Sequence, residues 1–389
     1  MNTIYYGRQY IDEDDCTAVR EVLLSDYLTT GPKPRELEQR LCELTGAEYA
    51  ISIANGTAAL HAACFAAGIG AGDEVITTPM TFVASANCVL YCGGKPVFAD
   101  IEADTYNISP KSVEALITPN TKAVIAVDFT GQAARYNELR DICERHGLVL
   151  IGDAAHSIGT KYNGKAIGNV ADITTFSFHP VKTVTGGEGG AVLTNNKGYY
   201  DKLMLFRTHG ITREHFQMIS PTDDYWYYEQ VELGYNYRLT DFQAALIISQ
   251  LNKLDMFTAR RREIVKRYNE AFSNMPEIII QQEIPQSDTV RHLYIIQLNY
   301  DFLKCARREF FDAMFEKGIV CNVHYIPVYF HPYYERLGYK KGLCPVAERV
   351  YEGVLTLPLY YSLSDDDVER VITEVKKAVM YFRKPGVSI

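Results

Sequence analysis

No stretch of this 389-residue chain approaches the roughly 20 consecutive apolar residues that a bilayer-spanning helix needs. The N-terminal segment, Met1-Asn-Thr-Ile-Tyr-Tyr-Gly-Arg8, lacks the apolar core of an export signal. Low-complexity tracts and internal repeats are missing as well. No basic cluster exceeds Arg260-Arg-Arg262, and the formal charge is −9, which argues against a nucleic-acid surface. The nine cysteines are scattered and odd in number, as suits reduced thiols rather than a disulfide framework. Cys88 and Cys92 lie one helical turn apart but have no second Cys/His pair at metal-ligand spacing, and His324 and His331 lack a matching carboxylate. These absences predict a cytoplasmic protein with no metal, no membrane and no nucleic acid among its partners.

What is present is the composition of a globular protein, 47% hydrophobic and 22% charged. The length exceeds one ordinary core, so two domains are expected, residues 1–250 and 251–389. Strand-like runs at Tyr49–Ile53, Glu74–Thr77, Pro96–Phe98, Ala123–Val127, Leu148–Ile151 and Ile173–Phe178 are separated by helix-length patterns. That alternation predicts an α/β fold with a mostly parallel, helix-covered sheet. A single long helix is expected from Asp241 to Phe272. A smaller α+β unit follows, with a strand at His292–Leu298 and helices at Leu303–Phe315 and Asp365–Ala378.

Two polar residues stand just beyond buried-looking strands. Asp153 follows Leu148-Val-Leu-Ile151, and Lys182 follows Ile173-Thr-Thr-Phe-Ser-Phe178 and precedes Gly186-Gly-Glu-Gly-Gly190. A carboxylate ending an aliphatic strand is costly unless it is paired, and loops at the carboxyl ends of parallel strands are where such sheets present reactive groups. A lysine amine and a carboxylate are what pyridoxal phosphate chemistry requires. The amine holds the aldehyde as a Schiff base, and the carboxylate keeps the pyridine nitrogen protonated. Asn55-Gly56-Thr57, at a strand-to-helix turn, is a candidate phosphate cup, to which Ser177 adds a hydroxyl. Phe82 is a candidate to stack on the ring, and His156 is close enough in sequence to Asp153 to reach the same ligand. The glycine stretch matches neither dinucleotide nor Walker fingerprints and reads as room for a cofactor loop. Each of these residues also has an ordinary structural reading, as a surface lysine, a cap, a turn or a core aromatic; their joint arrangement favours the chemistry.

Four segments in order resemble the DegT/DnrJ/EryC1/StrS family of sugar aminotransferases. They are Asn55-Gly-Thr-Ala-Ala-Leu-His61, Asp153-Ala-Ala-His-Ser157, Ser177-Phe-His-Pro-Val-Lys182 with Glu188-Gly-Gly190, and Gly234-Tyr-Asn-Tyr-Arg238. The resemblance runs from about Tyr6 to the last helix. It implies the fold-type-I architecture of aspartate aminotransferase and pyridoxal 5′-phosphate as cofactor. It also implies that Lys182 is the Schiff-base and proton-shuttling residue and that Asp153 pairs with the pyridine nitrogen. Thr57, Ala58 and Ser177 would contact the phosphate, Phe82 would stack, and His156 would lie beside the ring. Asn236 would reach the phosphate in the neighbouring subunit, which makes the enzyme a homodimer with shared sites. Family members with histidine in place of the lysine are dehydratases or deoxygenases, so Lys182 favours amino transfer.

Further segments, Tyr5-Tyr-Gly-Arg-Gln9, Ser25-Asp-Tyr-Leu-Thr-Thr-Gly-Pro32, His179-Pro-Val-Lys182 and Asn322-Val-His-Tyr-Ile-Pro327, resemble one group within the family. That group moves an amino group from L-glutamate to C4 of a UDP-linked 4-keto-6-deoxy-N-acetylhexosamine, forming UDP-4-amino-4,6-dideoxy-N-acetyl-β-L-altrosamine, a pseudaminic acid precursor. On this resemblance Tyr6, Tyr27, Thr29, His324, Tyr325 and His331 would border the sugar nucleotide, with Arg238 available to its diphosphate. Thr183-Val-Thr-Gly-Gly187 departs from the proline-containing version associated with that group. The alternatives are a relative acting on a dTDP- or GDP-linked keto sugar, a fold-type-I lyase or desulfurase, and a non-catalytic scaffold on the same fold. A desulfurase would need a cysteine in a mobile Gly/Ser-rich loop, and no cysteine here has that setting.

Overall fold

The computed structural model describes residues 2–222 and 224–385. The principal sheet has seven strands: β1 (Tyr49–Ile53), β2 (Glu74–Thr77), β3 (Lys95–Phe98), β4 (Thr121–Val127), β5 (Val149–Asp153), β6 (Ile173–Ser177) and β7 (Gly190–Thr194). Their spatial order is β1-β7-β6-β5-β4-β2-β3. The pairs from β6 to β3 are parallel, while β7 runs antiparallel to both β1 and β6. The aliphatic runs form strands because both faces are covered. Tyr136, Leu139, Leu150 and Ile247 pack on one face, and Ala59, Ala63, Ile151, Leu203 and Phe206 on the other. The Gly56–Ala66 helix carries five alanines, all buried. Its small side chains let it lie close over β6 and β7.

The C-terminal part has its own antiparallel sheet, β8 (Ile278–Ile280), β9 (Tyr294–Leu298) and β10 (Val354–Leu357), with β9 in the middle. The Leu254–Phe272, Arg307–Glu316 and Asp365–Phe382 helices contribute Ile264, Phe310, Val371 and Val375 to a second core. Ile4 packs into that core and pairs in parallel with Ile319. The start of the chain is therefore stitched onto its end.

The structure departs from expectation in several places. The helix expected from Asp241 to Phe272 is two helices, Asp241–Leu251 and Leu254–Phe272. At the break, Ser249 Oγ, Gln250 Nε2 and Lys253 Nζ converge on the fully buried Asp15 carboxylate at 2.6, 2.7 and 3.0 Å. These contacts tie the junction of the two helices to the first helix of the chain. Leu303 is buried but lies before the helix it was expected to begin, which starts at Arg307. The Lys33–Thr45 and Lys197–Arg207 helices had not been assigned, nor had β7.

Candidate active site

Register places the chemistry on one edge. Asp153 pairs with Val127 and Thr175, Ser177 pairs with Gly190, and Gly190 pairs with Ile53. The carboxyl ends of β1, β5 and β6 therefore meet, and a cavity of about 770 Å³ opens there. Asp153, His156, Ser177, Lys182, Gly56, Thr57, Ala58 and Phe82 all line it, as do Tyr6, His324 and Tyr325.

Lys182 sits in the 178–189 loop between β6 and β7. The loop is closed by Lys182 N to His179 O at 2.9 Å, Gly186 N to Phe178 O at 2.9 Å and Phe178 N to Gly189 O at 2.8 Å. Three of the glycines there are packed against other elements, and Gly187 alone is open, at a positive φ of 76°. A Cβ at Gly186 would stand 2.7 Å from Ile247, and one at Gly190 would stand 2.5 Å from the Asn55 carbonyl. They allow the loop to pack against the Asp241–Leu251 helix and β7 to pass the Asn55 turn; only Glu188 of this stretch lines the cavity.

Desolvation lowers the Lys182 pKa to about 8, and Asp153 opposes that shift only in part. Burial raises the Asp153 carboxyl, while Ser85 Oγ, donating to Oδ2 at 2.6 Å, and Ala155 N, donating to Oδ1 at 3.2 Å, pull it back. Burial and the nearby lysine keep His156 and His292 well below the ordinary histidine range. The same causes lower His324 to about 3. His156, His292 and His324 are therefore neutral imidazoles. His156 Nε2 lies 3.3 Å from Tyr325 Oη, its ring is 4.7 Å from that of His292, and its Nδ1 is buried with no partner.

The phosphate cup is narrower than expected. Asn55 caps the Gly56–Ala66 helix, and its side-chain oxygen accepts the Ala58 N–H at 2.8 Å. Ala58 thus lines the cavity with its amide already engaged. The Gly56 and Thr57 amides have no hydrogen-bond partner among the described residues and remain available to an anion. A Cβ on Gly56 would come within 2.8 Å of Ser177, so glycine is what allows the helix start to approach the Ser177 hydroxyl.

Five expected residues do not line this cavity within one chain: Tyr27, Thr29, Asn236, Arg238 and His331. Thr29 bridges to Thr240 in an exposed loop, anchored where Asp241 accepts the Gly31 and Lys33 amides at 2.8 and 3.0 Å. In the extended 236–238 stretch Tyr237 lines the cavity, and its neighbours on either side do not, as alternation along an extended backbone dictates. His331 precedes the Pro332–Arg336 helix as its cap residue, outside the cavity wall. Residues the sequence had not singled out, Ser85, Glu188, Tyr237, His292 and Asn322, do line it. Glu188, Tyr237 and Asn322 lay inside recognised segments, whereas nothing local marked Ser85 or His292.

A mostly parallel sheet with one reversed strand, presenting these groups on its carboxyl edge, defines the class as a fold-type-I transferase dependent on pyridoxal phosphate. The chain belongs to the DegT/DnrJ/EryC1/StrS aminotransferase family, whose profile spans residues 9–376. It is 39% identical to the spore coat polysaccharide biosynthesis protein SpsC of Bacillus subtilis, over 96% of each chain. Among solved structures it is similar to Helicobacter pylori PseC, an aminotransferase of pseudoaminic acid biosynthesis (TM-score 0.91, 32% identity, 98% of this chain and 100% of that one). It is also similar to the sugar aminotransferase homologue Spr1654 of Streptococcus pneumoniae in its PLP form (TM-score 0.90, 31% identity, 97% and 99%). Aminotransferases of this family use pyridoxal 5′-phosphate. The residues fit that group: two free helix-start amides and a hydroxyl suit its phosphate, and a buried carboxylate suits its ring nitrogen. An orphaned imidazole nitrogen and a Phe82 ring left 58% exposed complete the wall.

The lowered lysine pKa has a kinetic consequence. Only the free amine attacks an aldehyde, so covalent uptake of pyridoxal phosphate by cofactor-free protein should accelerate as pH rises through about 8 and level off above it. A lysine at its ordinary value of 10.5 would still be gaining over that range. Stopped-flow absorbance against pH measures this. A midpoint near the ordinary value would show that burial does not tune Lys182.

Proposed function

We propose that the chain is a nucleotide-sugar aminotransferase that moves an amino group from L-glutamate to C4 of a UDP-4-keto-6-deoxy-N-acetylhexosamine, in pseudaminic acid biosynthesis. The observation that carries amino transfer is Lys182, its pKa lowered to about 8, lining one cavity with the buried Asp153. Pyridoxal phosphate, when bound, supplies an electron sink that lets a proton leave the carbon carrying nitrogen. Asp153 would hold the ring nitrogen in its protonated form, a charge-assisted pairing in a water-poor site. Gly56, Thr57 and Ser177 would bind the phosphate, and Phe82 would cover the ring. Lys182, free of the cofactor during turnover and near neutrality in pKa, would take and return the proton. The balance is L-glutamate to 2-oxoglutarate and keto sugar to amino sugar.

The similarity to PseC supports this choice of sugar, and Tyr6, His324 and Tyr325 on the cavity wall match residues expected to border it. We further infer a homodimer in which Asn236, Arg238, Tyr27 and Thr29 serve the neighbouring cavity. They lie outside their own, and the segment leading to Asn236 exposes Phe216, Ile219, Tyr225, Trp226 and Leu233, apolar side chains suited to a partner.

The test is spectroscopic. The protein loaded with pyridoxal phosphate should lose its cofactor absorption band on addition of L-glutamate and regain it with the UDP-4-keto sugar. Loss without return would keep the aminotransferase and reject this sugar in favour of a dTDP- or GDP-linked one. A band unmoved by glutamate would reject the amino donor.

A further inference from the structure

Asp153 is held by a hydroxyl relay that no motif announces. Ser85 stands in the first turn of the Ala84–Tyr91 helix, 1% exposed, and its Oγ lies 2.6 Å from Asp153 Oδ2. Thr81, also buried, places Oγ1 2.7 Å from Ser85 Oγ. An ionised carboxylate only accepts, so the single Ser85 proton points at Asp153. Thr81 is then the donor to Ser85, and the relay runs one way, Thr81 to Ser85 to Asp153. The Ala155 amide donates to the other carboxylate oxygen at 3.2 Å. Two donors from two different elements, one on each oxygen, fix the carboxylate plane and still leave each oxygen a lone pair.

We propose that Ser85, oriented by Thr81, is a positioning residue that aligns Asp153 and holds it ionised for the ring nitrogen of the cofactor. The proposal rests on the reading that Asp153 pairs with that nitrogen. The physical case is that burial works against the charge on Asp153, and a short hydroxyl donor is the strongest influence restoring it. Without that donor the carboxylate is both freer to rotate and less willing to be charged.

The experiment compares Ser85→Ala, Thr81→Val and Asp153→Asn. Pyridoxal phosphate is titrated into each cofactor-free protein by fluorescence, with thermal melts of the same samples and steady-state kinetics of the loaded ones. Ser85→Ala should bind the cofactor roughly tenfold to a hundredfold more weakly, as loss of a hydrogen bond to a charged group predicts. Its kcat should fall while KM for L-glutamate moves little. Thr81→Val, one link farther out, should show a smaller loss of the same kind and stands in if Ser85→Ala does not fold. Cofactor affinity unchanged in both hydroxyl variants while Asp153→Asn binds poorly would overturn the proposal and leave the Asp153 reading intact. Lower melting temperatures with unchanged affinity would overturn it too, since that marks a packing role. Wild-type affinity in Asp153→Asn would remove the reading beneath it.

Discussion

Lys182→Ala should lower turnover by at least about a thousandfold, the upper part of the range expected when a proton-transfer group is removed. Here the same side chain is also the covalent anchor. The loss should be confined to chemistry. Alanine fills no space that the lysine side chain did not, and the loop that carries it is closed by the backbone bonds of Phe178, Gly186 and Gly189. The Gly56 and Thr57 amides, Ser177 and Asp153 are untouched, so pyridoxal phosphate should still bind, now without a covalent link. Borohydride treatment followed by intact mass separates the two states: wild-type protein should gain the mass of the cofactor less one water plus two hydrogens, and the variant should gain nothing. Turnover near that of the wild type would sink the mechanism, whatever the cofactor binding.

Asn236→Ala should weaken retention of pyridoxal phosphate even though Asn236 is exposed and lies outside its own cavity. The reason is geometric. Tyr237 O accepts the Ala54 N–H at 2.9 Å, which ties this stretch beside the helix start that forms the phosphate cup. With Tyr237 turned inward, the exposed side chain before it faces away from its own cavity, as the homodimer proposed above requires. Mixing Asn236→Ala with Lys182→Ala should then restore activity that neither has alone. In each mixed dimer one site holds two damaged residues and the other holds none. Random reassortment makes about half of the dimers mixed, so about a quarter of the wild-type sites should return in a closed two-fold assembly. The measurement is specific activity after unfolding and refolding the two variants together, against each refolded alone. No recovery would reject sharing of sites and leave Asn236 with a role in its own chain.

The parts of the site legible in the sequence were those encoded locally. An aliphatic run ending in Asp153, another ending shortly before Lys182, and an Asn-Gly-Thr turn before an alanine-rich stretch each state their structure within a dozen residues. A strand buried on both faces and a capped helix need little more than that. Ser85 was not legible, because its meaning is a 2.6 Å contact with a residue on another element. His292 was hidden likewise, since it becomes part of the site only because its ring packs against that of His156. The packing of Gly186, Gly189 and Gly190 against Ile247 and the Asn55 turn was equally hidden, since those partners lie on other elements.

The chain by itself determined the alternation of strands and helices, the aminotransferase class, and the choice of Asp153 and Lys182, which line one cavity. Hydrophobic period and strand-end polarity are short-range properties that survive in any local window. Tertiary structure alone decided the reversed strand β7, which sets Gly190 between Ser177 and Ile53 and so draws the helix start toward the lysine loop. It alone decided the break between Leu251 and Leu254, where a buried carboxylate from the first helix of the chain is bound. Packing also decided the charges. Burial holds Lys182 partly neutral and His156 and His292 uncharged, and the energy of a charge depends on what surrounds it, not on what precedes it in the chain.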